Sequence, residues 1–113
     1  MVSKYVPDAG DIVMLDFDPQ AGREQAKRRP ALVITDRRYN QASGLAVVCP
    51  LTSHRKPYPF ALPTTLDQIE GAVLVDQVKS LDWSSRKAEF HSRGETGLLS
   101  KVRTYLAVLL GVR

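Results

Sequence analysis

The chain has little that could staple it or hold a metal. Cys49 is its single cysteine, so an internal disulfide is excluded, and so is a zinc site built from several thiolates. The two histidines, His54 and His91, lie too far apart in sequence to read as a local metal motif. No apolar run approaches the roughly 18 residues that a membrane span needs, and Met1 to Asp8 lacks the apolar stretch of a signal peptide. Internal repeats, low-complexity tracts and linkers are also lacking. These absences lead to the expectation of a soluble, cytoplasmic protein folded as one domain over residues 1–113, with no membrane association. What is present is ordinary for a globule: 43% of residues are apolar and 25% charged. At 113 residues, folding should bury roughly 65% of the unfolded surface, enough for a single core.

Charge is unevenly laid out. Sixteen bases against twelve acids leave a net charge of +4, with a pI near 9.5. From Met1 to Gln20 there are four acids and one base, Lys4; from Arg23 to Arg38 there are six bases against Glu24 and Asp36. A second basic cluster, His54-Arg55-Lys56, follows one intervening apolar run. Two such segments separated by a strand-length stretch can meet on one face and form the footprint of a polyanion site; the alternative is a solvated surface. Arginine outnumbers lysine ten to six, which favours phosphate, because the guanidinium fork matches phosphate oxygens bidentately.

The pattern predicts mostly strands. Asp11–Phe17 is short, apolar and ended by Asp18-Pro19. Ala31–Thr35 is opened by Pro30, which suits a first strand residue because it cannot donate there. Leu45–Val48 continues through Cys49-Pro50-Leu51, with Pro50 marking an edge or a bend. Phe60–Leu62 is a short fourth strand fenced by Pro57, Pro59 and Pro63, and Gly71–Val78 is a strong fifth. The loop Asp18–Arg29 is about as long as compact domains tolerate without a function. At the C-terminus, Leu98, Val102, Tyr105, Leu106, Leu109 and Leu110 form one apolar stripe of a helix over Leu98–Leu110, with Thr96 as N-cap and Gly111 just past its end. The predicted fold class is mainly β (α+β): a small β-barrel with a C-terminal amphipathic helix.

Three ordered motifs go further. They are Asp11–Pro19 with Gly22, Glu24-Gln25 and Arg29-Pro30-Ala31-Leu32-Val33-Ile34; then Pro50-Leu51-Thr52-Ser53; then Gly71 through Trp83. In this order and spacing they resemble the MazF/PemK family of toxin endoribonucleases, the mRNA interferases of bacterial toxin–antitoxin modules, over about Tyr5 to Gly111. The resemblance implies an SH3-like, CcdB-like barrel that forms a homodimer and inhibits growth by cutting single-stranded mRNA at short sequences. It implies no metal and no cofactor, 2′,3′-cyclic phosphate and 5′-hydroxyl ends, and a MazE-like antitoxin whose acidic tail lies in the RNA groove. By motif, it makes Arg29 and Thr52 catalytic, with Glu24 supporting the site from the first loop. It places Asp76, Gln77, Lys79 and Arg86 where RNA bases or backbone are held.

The chemistry suits those side chains. Cleavage to a cyclic phosphate uses the substrate's own 2′-hydroxyl as nucleophile, so the protein must position the phosphate, help move a proton and stabilise charge. Arg29 can stabilise that charge and protonate the leaving 5′-oxygen, while Thr52 can donate to a non-bridging oxygen. Lys27 and Arg28 add field beside Arg29, and Arg28 either shares the phosphate or only strengthens the field. Lys56 and Arg86 read as backbone contacts, Asp76 and Gln77 as specificity groups or sheet-edge residues. His54, two residues from Thr52, has the chemistry for proton transfer that arginine lacks. Trp83 reads as core or interface, Cys49 as a buried small hydrophobe, and His91 as a surface residue. Two other functions share this barrel and basic groove: poisoning of DNA gyrase, and RNA binding without cleavage.

Overall fold

In the first strand, Ile12 faces one side of a sheet while Val13 and Leu15 face the other, so the four-residue apolar run Ile12–Leu15 serves two cores. A computed structural model of the chain describes residues 5–17, 28–54 and 58–112. Within them, β1 (Asp11–Asp16), β2 (Arg28–Val33), α1 (Arg37–Ser43), β3 (Leu45–Thr52), β4 (Ala61–Leu66) and β5 (Ile69–Leu74) follow in order. A short 3-10 turn (Val75–Gln77), β6 (Lys79–Asp82), β7 (Glu89–Arg93) and α2 (Leu98–Leu110) complete the chain. The strands are antiparallel along the path β4-β5-β3-β2-β1-β7, with β6 paired to the first half of β3. The sheet curls into a small open barrel, mainly β as its sequence predicts, and α2 crosses one side.

One core lies between the sheet and α2, where Leu98, Val102 and Leu106 meet Ile12, Leu32, Cys49 and Val73. The other gathers Val13, Leu15, Phe17, Ala31, Val33 and Val48 on the opposite face, flanked by Tyr5 and Trp83. Cys49 is buried, and burial pushes its thiol up to about 12, with the charge of Asp76 adding to the rise. The helix has the predicted limits, but two features of it differ. Gly97, at φ +86°, precedes Leu98 in place of a Thr96 side-chain cap. Leu109 and Leu110 are 38% and 68% exposed, because the core that α2 faces ends at Leu106. Gly111 stops the helix as expected, at φ +76°, with the Val112 N–H returning to the Ala107 carbonyl. No helix among the described residues is long and apolar enough to cross a membrane.

The prolines and turns correct several predicted boundaries. Pro30 lies inside β2 rather than opening it, and Pro63 lies inside β4, which is tolerated because β4 is an edge strand. Pro50 sits in β3 where the strand changes neighbour: β6 pairs through Val48 and β5 takes over from Leu51. Gly71–Val78 is not one strand. The chain leaves β5 after Leu74 and turns, yet Val75 remains fully buried, so an apolar run here hides a turn.

Three elements, α1, β6 and β7, have no counterpart in the predicted set. Helix α1 is polar in sequence and is held by one residue, Asn40, which is fully buried. The Asn40 amide donates to the Pro7 and Thr35 carbonyls, both at 2.8 Å, and its oxygen accepts the Thr35 hydroxyl at 2.6 Å. The Asn40 backbone carbonyl accepts the Trp83 indole N–H at 2.9 Å, placing Trp83 against the second core as expected. Asp8 accepts the Arg37 N–H at 2.9 Å and so caps α1 from a distance; that contact is the main reason its carboxyl lies below the usual range. The depressed carboxyl keeps the cap charged at neutral pH, and its contribution is lost only as pH falls through the folded value. Asn40→Ala leaves buried carbonyls without donors and should lower stability by about 3 kcal/mol, read from the midpoint of urea unfolding at unchanged slope.

Candidate active site

The groove begins with a hydrogen bond that cannot form. Strands β2 and β3 pair at Val33↔Val48, Leu32↔Cys49 and Ala31↔Pro50. The Ile34 N–H donates to the Val47 carbonyl at 2.8 Å, which fixes the alternation of bonded and non-bonded pairs. Leu32 and Cys49 are therefore a bonded pair, and the next would be Pro30 with Leu51. Pro30 has no N–H, and the ladder stops at Ala31↔Pro50. The same register carried two residues on would set Arg29 opposite Thr52. Instead the two flank an opening of about 290 Å³, lined also by Pro30, Thr64, Asp67 and Gly71. The two residues singled out as catalytic thus share one cavity.

The far wall of the opening is fixed by β5, whose Ala72 pairs with Thr52. Gly71 runs so close to β3 that a Cβ there would lie 2.1 Å from the Thr52 carbonyl oxygen. Only glycine permits this approach, so Gly71 sets the height of Thr52 in the groove. The Thr52 hydroxyl accepts the backbone N–H of His54 at 3.1 Å, which leaves its own proton to be donated elsewhere. The group of His54 that touches Thr52 is thus the peptide, while its side chain is exposed.

Positive charge converges on the same end of the sheet. Arg29 is paired with Leu15, and Lys79 with Val48, so both leave the face that carries the second core. The Arg29 guanidinium lies 5.6 Å and the Lys79 ammonium 5.2 Å from the centre of the Phe17 ring, a doubled cation–π contact. Phe17 thereby anchors both cations at the start of the segment 18–27.

Other singled-out residues are placed differently. Arg28 is opposite Asp16, on the other face from Arg29. It donates to the Asp16 and Glu89 carboxylates, each at 3.1 Å, and to the Met14 and Lys87 carbonyls. Its fork is engaged in joining β1, β2 and β7, on the face opposite Arg29. Arg86 donates to the Asp16 and Phe17 carbonyls at 3.1 and 2.8 Å, holding the chain end that leads into the first loop. Asp76 accepts the Tyr58 hydroxyl at 2.8 Å, which raises the phenol's pKa, and Gln77 is exposed beside it in the 3-10 turn. Glu24, Lys27 and Lys56 lie outside the described residues. Among the described residues no group of three His, Cys, Asp or Glu side chains is gathered as metal ligands.

Two pairs were not foreseen. Asp67 lines the groove and binds His91, Oδ2 to Nε2, at 3.0 Å; the other ring nitrogen meets the Ser92 hydroxyl at 2.8 Å. His91 is therefore a half-buried, fully engaged ring rather than a free surface residue. Thr64, also lining the groove and buried, donates to Glu95 at 3.0 Å. Period-two alternation along β4 points Thr64 inward with Leu62 and Leu66, and this was the available signal.

A curled antiparallel sheet whose arginine and threonine flank a split in its ladder, with the Lys79 ammonium alongside, defines a small barrel with a partly cationic groove. Comparison with known proteins agrees. The profile of the PemK-like, MazF-like toxins of type II toxin–antitoxin systems matches residues 8–110. The endoribonuclease toxin MazF of Escherichia coli strain K12 is 40% identical over 111 residues, covering 98% of this chain and 100% of that protein. The crystal structure of MazF from Deinococcus radiodurans superposes with a TM-score of 0.85 at 47% identity, covering 96% of this chain and 100% of that one. A chain of the MazE–MazF crystal structure from the same organism gives 0.83 at 42% identity, covering 97% and 100%. The chain belongs to the PemK-like, MazF-like toxin family.

Gly71→Ala forces the β3 backbone away from β5 and should lower stability by about 3 kcal/mol. Urea unfolding would give that loss, and amide chemical shifts at Thr52 and Ser53 should move while those of α1 stay.

Proposed function

We propose that this protein is the endoribonuclease toxin of a type II toxin–antitoxin system, acting on single-stranded mRNA in the cytoplasm through the Arg29–Thr52 groove. The observation that carries the reading is the convergence of Arg29 and Thr52, distant in sequence, on one opening with Lys79 beside it. The single domain spans residues 1–113.

In this reading the scissile phosphate lies between the two side chains. The substrate's 2′-hydroxyl attacks phosphorus and loses its proton to solvent water as the bond to the 5′-oxygen breaks. This leaves a 2′,3′-cyclic phosphate and a 5′-hydroxyl, and solvent returns a proton to Arg29 after it has protonated the 5′-oxygen. Thr52, whose oxygen already accepts the His54 N–H, donates its proton to a non-bridging oxygen as charge builds there. Arg29 pairs with the second oxygen and protonates the departing 5′-oxygen; Glu24 supports it from the first loop. No metal is needed for these steps. Lys79 holds the neighbouring backbone, with Lys27 and Lys56, while Asp76 and Gln77 meet bases at the groove's end. His54 contributes its peptide to Thr52, not its imidazole to proton transfer.

The exposed apolar end of α2, where Val108, Leu110 and Val112 are each more than 60% exposed, supports a homodimer. The basic groove supports a MazE-like antitoxin that lays an acidic segment over Arg29 and Lys79. MazE–MazF assemblies are known for the Deinococcus relative.

The test is incubation with a long single-stranded RNA in EDTA, with cut positions mapped by primer extension. Discrete cuts are expected from the wild type. Arg29→Ala and Thr52→Ala should each slow cutting by at least about a hundredfold with an unchanged unfolding midpoint. His54→Ala should keep the pH–rate profile of the wild type. Intact RNA with all proteins would turn attention to RNA binding alone, and then to DNA gyrase.

A further inference from the structure

The groove contains a group that a polyanion site has reason to avoid. Asp67 is 66% exposed and lines the same opening as Arg29 and Thr52. A bare carboxylate there repels the phosphates that the arginine attracts. It is nonetheless held in place. A carboxylate only accepts hydrogen bonds, so His91 donates through Nε2 to Asp67 Oδ2, and the opposite ring nitrogen is fixed by Ser92. Among the described residues, hydrogen bonding engages only Oδ2, and Oδ1 remains to accept from a ligand.

The backbone presents Asp67 at the tip of a tight turn. Leu66 pairs with Ile69, so Asp67 and Gln68 form a two-residue hairpin, with φ of +53° and +66°. Such mirror-image turns favour Asn or Asp at the first position and glycine at the second, so Asp67 suits the turn and Gln68 does not. Glutamine in particular gains nothing from the left-handed region. Beside the turn, Leu66 is half-buried and Ile69 is 57% exposed, giving the opening apolar walls at its mouth. A cavity of about 290 Å³ lies just below the roughly 300–1,000 Å³ range of small-molecule sites, which suits a single small group rather than an extended segment.

We infer that the β4–β5 hairpin reads the nucleobase next to the cut, with Asp67 as the specificity residue and His91 as the residue that positions it. The carboxylate accepts an exocyclic amine, so the pocket takes an amine-bearing base and rejects uracil, whose edge presents carbonyl oxygens on both sides of its one N–H. The inference rests on the ribonuclease reading.

The two fail differently in one experiment. Single-stranded RNA with a randomised central segment is cut by the wild type, Arg29→Ala, Asp67→Asn and Asp67→Ala, and the new ends are sequenced. Asn keeps an oxygen for His91 and replaces the free acceptor with a donor. The wild type should exclude uracil at one position beside the cut. Asp67→Asn should admit it, with the discrimination falling by roughly tenfold, and Asp67→Ala should become indifferent there. A role confined to stability would lower the overall rate and leave the base profile unchanged. Uracil accepted equally by the wild type on both sides of the cut would overturn the inference, as would a wild-type profile in both Asp67 variants. No cuts by the wild type would remove the ribonuclease reading and this inference with it.

Discussion

The ladder between β2 and β3 stops because Pro30 has no N–H at the position where the register requires one. Without that interruption Arg29 and Thr52 would be ordinary cross-strand neighbours, side by side on a continuous sheet. With it, the strands part beside them and leave a groove between two otherwise rigid walls. Gly71 then brings β5 within backbone contact of Thr52, so the threonine is held from both sides while its hydroxyl proton stays available. The site is therefore made mainly by main-chain constraints, which hold geometry more tightly than side-chain contacts on a loop would.

The chain's positive charge is less uniform in purpose than its net value of +4 suggests. Arg28 and Arg86 bind carboxylates and carbonyls around β1, Arg93 binds Asp11, and Arg103 donates to the Ile34 carbonyl. These guanidiniums fasten strand and helix ends. Arg29 and Lys79 are different in kind, because both rest on the face of the Phe17 ring. Among the described residues no ion pair engages either of them, and both contribute to the field at the groove. Adjacent arginines in sequence, Arg28 and Arg29, thus fall to opposite faces and opposite uses.

Features with a local cause were legible in the sequence. The apolar stripe from Leu98 to Leu106 gives α2, β-branched runs give β1, β2 and β3, and the ordered motifs single out Arg29 and Thr52, which line one opening. Features with a tertiary cause were not. Helix α1 has no stripe to read, since Asn40 reaches across to Pro7 and Thr35. The turn at Val75 carries neither glycine nor proline, and its valine is buried like a strand residue. Strand β7 is polar because it lies at the end of the sheet path. The Asp67–His91 contact joins residues from separate hairpins, each of them individually unremarkable as an exposed polar residue. Arg28 could not be separated from Arg29 until alternation assigned them to opposite faces.

The two ends of the sheet path, β4 and β7, are bridged by side chains, His91 to Asp67 and Glu95 to Thr64, rather than by a backbone ladder. A seam of this kind is permissive to evolutionary change. Residues in the β4–β5 turn can be exchanged, lengthened or recharged without shifting the register of any strand that carries Arg29 or Thr52. Such a barrel can diversify its choice of target while inheriting its cutting chemistry intact, and related toxins can drift apart in what they recognise long before they drift apart in how they act.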